Sequence, residues 1–215
     1  MTQPLHPRDL AAHGPVIPVI VIDREADAVP LAQALVAGGV KVLEVTLRTP
    51  AGLPAISAIA REVPGAIVGA GTVRNVAELR AARNAGAQFA VSPGFLPEIG
   101  QASRDFGLPL LPGVATASEV MAAQAQGFDF LKLFPAVPVG GLSLLKALAG
   151  PFPDVAFCPT GGLTPQNAGD FLALPNVLVC GGSWLTPADL VARQDWAGIT
   201  ELARQTASLR PAVKR

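Results

Sequence analysis

Phe128-Asp129-Phe130-Leu131-Lys132-Leu133-Phe134-Pro135 reads as a short buried strand and its exit, with one residue that does not fit. Aromatics, leucines and a closing proline suit a strand. Two-residue alternation puts Phe128, Phe130, Lys132 and Phe134 on one face and Leu131 and Leu133 on the other. Both faces are apolar, the pattern of a parallel strand covered on each side. Lys132 is therefore aimed into a hydrophobic interior, where an ammonium is costly to desolvate. Burial of an amine favours its neutral form, a nucleophile able to condense with a ketone. The competing reading is a lysine that snorkels from the strand end to water.

Outward from this strand, in both directions, the chain repeats one unit: an apolar strand, a turn and an alanine-rich helix. The pattern predicts strands over 15–22, 40–46, 66–70, 88–92, 108–112, 128–133, 155–159 and 176–180. Helices are predicted over 28–37, 50–63, 76–85, 96–106, 118–126, 142–149 and 165–173, with closing helical stretches through residue 209. Asn75 and Ser118 stand as N-caps, and Gly38-Gly39 stops the first helix. Repeats of roughly 20–28 residues match a (β/α)8 barrel near the lower end of its size range. An open doubly wound sheet shares the alternation, but no GxGxxG follows the first strand. With no internal linker or low-complexity tract, residues 1–215 read as a single domain with a short N-terminal helical segment.

Composition narrows the function. Of 215 residues, 50% are hydrophobic and 15% charged, with sixteen basic side chains balancing sixteen acidic ones. That balance excludes a nucleic-acid footprint or a basic membrane patch. No apolar run is long enough to span a bilayer, and Met1 to Leu10 lacks the regions of a signal peptide, so a cytoplasmic protein is expected. Cys158 and Cys180 form no CxxC pair and read as core residues. The only histidines, His6 and His13, precede the first strand, so a three-histidine zinc site is impossible.

In the barrel fold, function collects at the C-terminal ends of the strands. Those ends carry Glu44, Thr46 and Arg48, then Gly71-Thr72, Ser92-Pro93-Gly94, Pro112-Gly113, Lys132, Thr160-Gly161-Gly162 and Gly181-Gly182-Ser183. Glu44 alternates with Val42 and Thr46, so its carboxylate shares an interior with Lys132. An amine beside a carboxylate is the minimum for Schiff-base formation with proton shuttling; a plain salt bridge, to Arg48 or to Lys132, is the competing reading. Arg48 offers a planar fork suited to a carboxylate ligand. The two glycine pairs fall in the seventh and eighth loops, which in this fold often cradle a phosphate through backbone N–H groups, with the Ser183 hydroxyl as a further donor.

The segments Glu44-Val45-Thr46-Leu47-Arg48, Gly69-Ala70-Gly71-Thr72-Val73, Phe130-Leu131-Lys132-Leu133-Phe134-Pro135-Ala136, Phe157-Cys158-Pro159-Thr160-Gly161-Gly162 and Gly181-Gly182-Ser183-Trp184-Leu185 resemble, in order, the 2-keto-3-deoxy-6-phosphogluconate (KDPG) and 4-hydroxy-2-oxoglutarate (KHG) aldolase family. The resemblance covers nearly the whole chain. It implies a class I aldolase of (β/α)8 fold that forms homotrimers and needs no cofactor and no metal. Lys132 would be the Schiff-base lysine and Glu44 the general acid/base. Arg48 and Thr72 would hold the pyruvyl carboxylate. Gly161, Gly162, Gly181 and Ser183 would hold the phosphate, and Pro93, Phe134 and Thr160 would line the pocket. The implied partners are small molecules, a phosphorylated 2-keto-3-deoxy sugar acid and pyruvate, with no nucleic acid and no membrane. An aldolase for the galactose epimer, a metal-dependent aldolase and a sugar-phosphate-binding barrel without Schiff-base chemistry are the alternatives.

Overall fold

A computed structural model describes residues 6–206 together with Leu209. A 3-10 helix over Pro7–His13 leads into alternating strands and helices: β1 (Val16–Ile20), α1 (Ala28–Ala37), β2 (Val42–Thr46), α2 (Gly52–Glu62), β3 (Ile67–Gly71), α3 (Val76–Asn84), β4 (Ala90–Val91) and α4 (Pro97–Phe106). The second half holds β5 (Leu110–Leu111), β6 (Gly113–Val114), α5 (Ala117–Gln124), β7 (Phe130–Leu133), α6 (Gly141–Ala149), β8 (Ala156–Pro159), α7 (Ala168–Leu172), β9 (Cys180–Gly182), α8 (Ala188–Ala192) and α9 (Trp196–Thr206). The expected helical stretch beyond Thr206 lies outside the described residues, apart from Leu209.

Every pairing among the named strands is parallel, in two curled sheets ordered β5-β4-β3-β2-β1-β9 and β6-β7-β8. The sheets meet where only Pro112 separates β5 from β6, and again at bridges Phe157–Val177 and Thr160–Gly181. The expected fifth strand is thus two short pieces, because Pro112 has no N–H to add to a ladder. Its carbonyl instead accepts from the Lys132 N–H at 2.8 Å, so the chain changes partners there.

Alternation along the strands divides the core in two. Leu43, Val45, Leu131 and Leu133 face the helices in one large cluster. Ile17, Val42, Val91, Leu111, Phe130 and Cys158 turn the other way into a second cluster, which Leu10 and Ala11 of the N-terminal 3-10 helix join. Arg8 ties that helix down, donating to the Asp129 and Asp154 carbonyls at 3.0 and 2.8 Å.

Two local expectations change. The cap of α5 is Thr116, not Ser118: its side chain accepts from the Glu119 N–H while Glu119 accepts from the Thr116 N–H, satisfying two orphan donors together. The last strand lies later than the apolar run 176–180, because Gly181 and Gly182 take up register with Ile17 and Pro18. Asn75 does cap α3, accepting from the Glu78 N–H at 2.8 Å, a contribution of about 1 kcal/mol.

Candidate active site

β2 and β7 bring Glu44 and Lys132 together across 88 positions of sequence. Lys132 Nζ lies 3.1 Å from Glu44 Oε1, and each side chain is only 4% exposed. Glu44 therefore pairs with Lys132 and not with Arg48. Desolvating two ions costs several kcal/mol each, so such a pair is poor evidence of a purely stabilising role. The space around it is made by its neighbours. Gly71 on β3 has to be glycine, since a Cβ there would overlap the Glu44 carboxylate. The Phe134 ring lies 5.4 Å from Nζ, within cation–π range. Cys158 is the cross-strand neighbour of Lys132 on β8. Burial pushes its thiol up to about 12, against the pull of the Lys132 charge, so it stays a neutral S–H.

Arg48 leaves the end of β2 exposed to solvent and donates from Nε to Thr72 Oγ1 at 3.1 Å. Thr72 sits at φ 61, a left-handed conformation that costs a non-glycine residue about 1–3 kcal/mol and that collects at functional sites. The strained backbone aims the hydroxyl at the guanidinium. Arg48 and Thr72 together pair a planar donor fork with a hydroxyl.

A pocket of about 130 Å³ opens among Arg48, Phe134, Thr160, Gly161, Gly181 and Ser183, with Gly162 also on its wall. Gly161 and Gly162 adopt φ 101 and 80, which turn the backbone as few other residues can. Gly181 must be glycine because a Cβ would collide with the Thr160 hydroxyl. Arg48, Phe134, Thr160, Gly161, Gly162, Gly181 and Ser183 thus share one cavity, while Lys132 and Glu44 do not line it and adjoin it through the Phe134 ring. Thr72 joins it through Arg48. Pro93 stands further off, after β4, with its backbone packed on Gly113, the register partner of Lys132. Sequence reasoning passed over Val19 and Leu163, which complete the wall; alternation along β1 would have flagged Val19. Larger cavities of about 240 and 210 Å³ lie at the opposite ends of the strands, away from this constellation. Among the described residues no group of three or more His, Cys, Asp or Glu is arranged to hold a metal ion. No described helix is long and apolar enough to cross a membrane.

The arrangement can do covalent carbonyl chemistry: a buried amine for attack, a carboxylate in contact for proton transfer, donors for a carboxylate on one side and a glycine-lined cradle on the other. The family model "KDPG and KHG aldolase" matches residues 9–202. The KHG/KDPG aldolase of Escherichia coli (strain K12) is 54% identical over 192 residues, 89% of this chain and 90% of that protein. The KDPG aldolase of Legionella pneumophila, solved with pyruvate captured at low pH as a covalent carbinolamine, is 45% identical. It superposes with a TM-score of 0.92 over 96% of this chain and 98% of its own. The Zymomonas mobilis ZM4 enzyme, solved with 3-phosphoglycerate, is 48% identical with a TM-score of 0.90 over 95% and 96% of the two chains. Matched by that family model over residues 9–202 and by relatives of 45–54% identity over most of its length, the chain belongs to the KDPG and KHG aldolase family.

Proposed function

We propose that the chain is a class I aldolase that reversibly cleaves 2-dehydro-3-deoxy-6-phosphogluconate to pyruvate and glyceraldehyde 3-phosphate, with 4-hydroxy-2-oxoglutarate as a further substrate. The observation that carries this reading is the buried contact of Lys132 Nζ with Glu44 Oε1 beside the glycine-lined pocket. Glu44 takes a proton from the paired Lys132 ammonium, and the freed amine attacks the C2 ketone. Glu44 moves protons as the carbinolamine loses water and becomes a protonated imine. Glu44, through a water where needed, then takes the C4 hydroxyl proton. The C3–C4 bond breaks, and its electron pair flows into the iminium to give an enamine. The aldehyde leaves, C3 is protonated, and water releases pyruvate and the free amine. Arg48 and Thr72 hold the pyruvyl carboxylate, Pro93, Phe134 and Thr160 shape the pocket, and Gly161, Gly162, Gly181 and Ser183 take the phosphate.

The same reading joins the two sheets into one closed (β/α)8 barrel of a single domain over 1–215. The Pro112 junction and the two isolated bridges support that closure. It also makes the enzyme a cytoplasmic homotrimer, to be checked by sedimentation and by cell fractionation.

The test is borohydride reduction in the presence of pyruvate, followed by peptide mapping. The label is expected on Lys132 and not on Lys41, Lys146 or Lys214; among the described lysines only Lys132 is at once inward, buried and paired. A label elsewhere, or none, sinks the Schiff-base assignment. Activity should also survive exhaustive chelation, because the iminium is the electron sink; loss with EDTA and recovery with a divalent ion would require a metal-dependent mechanism.

Ser183 supplies the only hydroxyl of the two paired-glycine loops on the phosphate wall apart from Thr160. A hydrogen bond to a charged group contributes about 1.5–3 kcal/mol. Ser183→Ala is therefore expected to lower kcat/KM for the phosphorylated substrate by roughly 10- to 150-fold. Cleavage of 4-hydroxy-2-oxoglutarate, which lacks a phosphate, should barely change. Equal losses on both substrates would move the phosphate elsewhere.

A further inference from the structure

A second cavity, of about 400 Å³, adjoins the glycine-lined pocket and shares Val19 and Ser183 with it. Its walls add Arg24 and Asp27, from the connection between β1 and α1, and the Thr186 hydroxyl. No cation stands beside the paired glycines in sequence, yet the fold carries Arg24 to the cavity that Ser183 borders. The guanidinium is held by a two-point contact: Nε donates to Asp27 Oδ2 at 2.8 Å and Nη2 to Oδ1 at 2.7 Å. Asp27 is itself buried and accepts a further bond from Gln194 Nε2 at 3.1 Å. Gln194 reaches it from a left-handed turn at φ 56, a conformation rare outside glycine. The hydrogen bonds from Arg24 hold the Asp27 carboxyl below the usual carboxylate range, so the anchor remains ionised at neutral pH.

This is the geometry of a fixed arginine rather than a free surface one. The side chain is 59% exposed, and the fork engages Asp27 through Nε and Nη2 only, which leaves Nη1 for a ligand. Arginine presents planar donors suited to phosphate oxygens, and anchoring one edge leaves less conformational freedom to lose when the other binds. Asp23, an exposed carboxylate, also lines the cavity and offsets part of the positive field. The site is therefore matched to a phosphate delivered on a tether, held at high effective concentration by the covalent link to Lys132, rather than to free phosphate from solution.

We infer that Arg24 is a further substrate-binding residue of this enzyme, donating to the phosphate of the aldehyde half of the substrate, and that Asp27 is its positioning residue. The inference rests on the aldolase reading above. Arg24→Ala takes the cation from the buried Asp27 carboxylate, so its thermal unfolding is measured beside its activity, with Arg24→Gln, which keeps an amide donor for Asp27, as companion. Arg24→Ala is expected to raise KM for the phosphorylated substrate by about tenfold, the scale of one charge-assisted hydrogen bond at a solvated edge, with kcat unchanged. The same sugar acid without its phosphate should be cleaved by the variant as by wild type, and pyruvate should label Lys132 equally in both. Asp27→Asn should raise KM in the same selective way, while a fall in kcat on both substrates would make Asp27 merely structural. Equal effects of Arg24→Ala on the two substrates, or no effect on either, would overturn the assignment. Wild-type protein that takes no pyruvate label would overturn the aldolase reading and this inference with it; normal labelling with an indifferent Arg24 overturns this inference alone.

Discussion

Lys132→Ala is expected to abolish turnover, a loss of roughly 10⁴-fold or more, because it removes the covalent nucleophile and with it the electron sink for C3–C4 cleavage. Among the described residues neither other lysine can take over: Lys41 and Lys146 are exposed, and Lys41 borders the cavity at the opposite ends of the strands. The substitution also strands Glu44, which is almost fully buried, without its cation. Breaking such a pair by removing one partner typically destabilises a protein by about 3–5 kcal/mol. Two measurements therefore go together: steady-state cleavage of the phosphorylated substrate, and thermal unfolding of the variant. Lys132→Met, which fills the apolar space more fully, is the companion. Both variants should be folded, inactive and unlabelled by pyruvate and borohydride. A folded variant of either kind that retains a substantial fraction of wild-type turnover would refute covalent catalysis at this position.

The second large effect is expected at Glu44. Glu44→Gln keeps the length of the side chain and an oxygen able to accept from Lys132 Nζ, but it cannot shuttle protons. Loss of a general acid/base lowers rates by roughly 10²–10⁴-fold, and that fall should appear in kcat while KM changes much less. The imine still forms in the variant, only more slowly, so pyruvate and borohydride should go on labelling Lys132 after longer incubation. This separates the two roles: Lys132 variants lose the label, while Glu44→Gln loses speed and keeps it. An unchanged kcat would reduce Glu44 to a charge partner for the lysine.

These predictions depend on residues that the sequence itself singles out. Lys132 stood out because a charged residue on the inward face of an otherwise apolar strand needs a reason. Glu44 followed because alternation with Val42 and Thr46 put it on the same side. The strand–helix repeat was equally plain, and several helix limits were legible to the residue or nearly so: α1 runs over Ala28–Ala37 as its Gly38-Gly39 stop implies, and Asn75 caps α3. Local chemistry decides such features, since periodicity, capping and chain-breaking residues act over a few positions.

Other features depended on partners distant in sequence. An apolar run such as 176–180 announces burial but not which of its backbone groups find a neighbour. The ladder instead took up Gly181 and Gly182, which read in isolation as a turn. The 3.1 Å contact between Glu44 and Lys132 exists because the sheets curl until β2 and β7 face one another; alternation gives a side chain's direction, not the distance to what it meets. Thr72 was legible as a polar residue at a strand end, but its left-handed backbone and its bond to Arg48, 24 positions away, carry no local signal. Arg24 was wholly illegible, lying in a short polar connection far in sequence from the glycine pairs, in a stretch that reads as an ordinary surface turn. Only the return of the chain past β9, where Gln194 donates to the Asp27 carboxylate that in turn holds the guanidinium, places it on the cavity that Ser183 borders. The sequence by itself thus determined the repeating strand–helix architecture and the inward placement of Lys132 and Glu44. Tertiary structure alone decided which backbone groups are shared between strands, how closely the pair meets and which cation shares a cavity with Ser183, because these depend on contacts between segments whose separation along the chain carries no local signal.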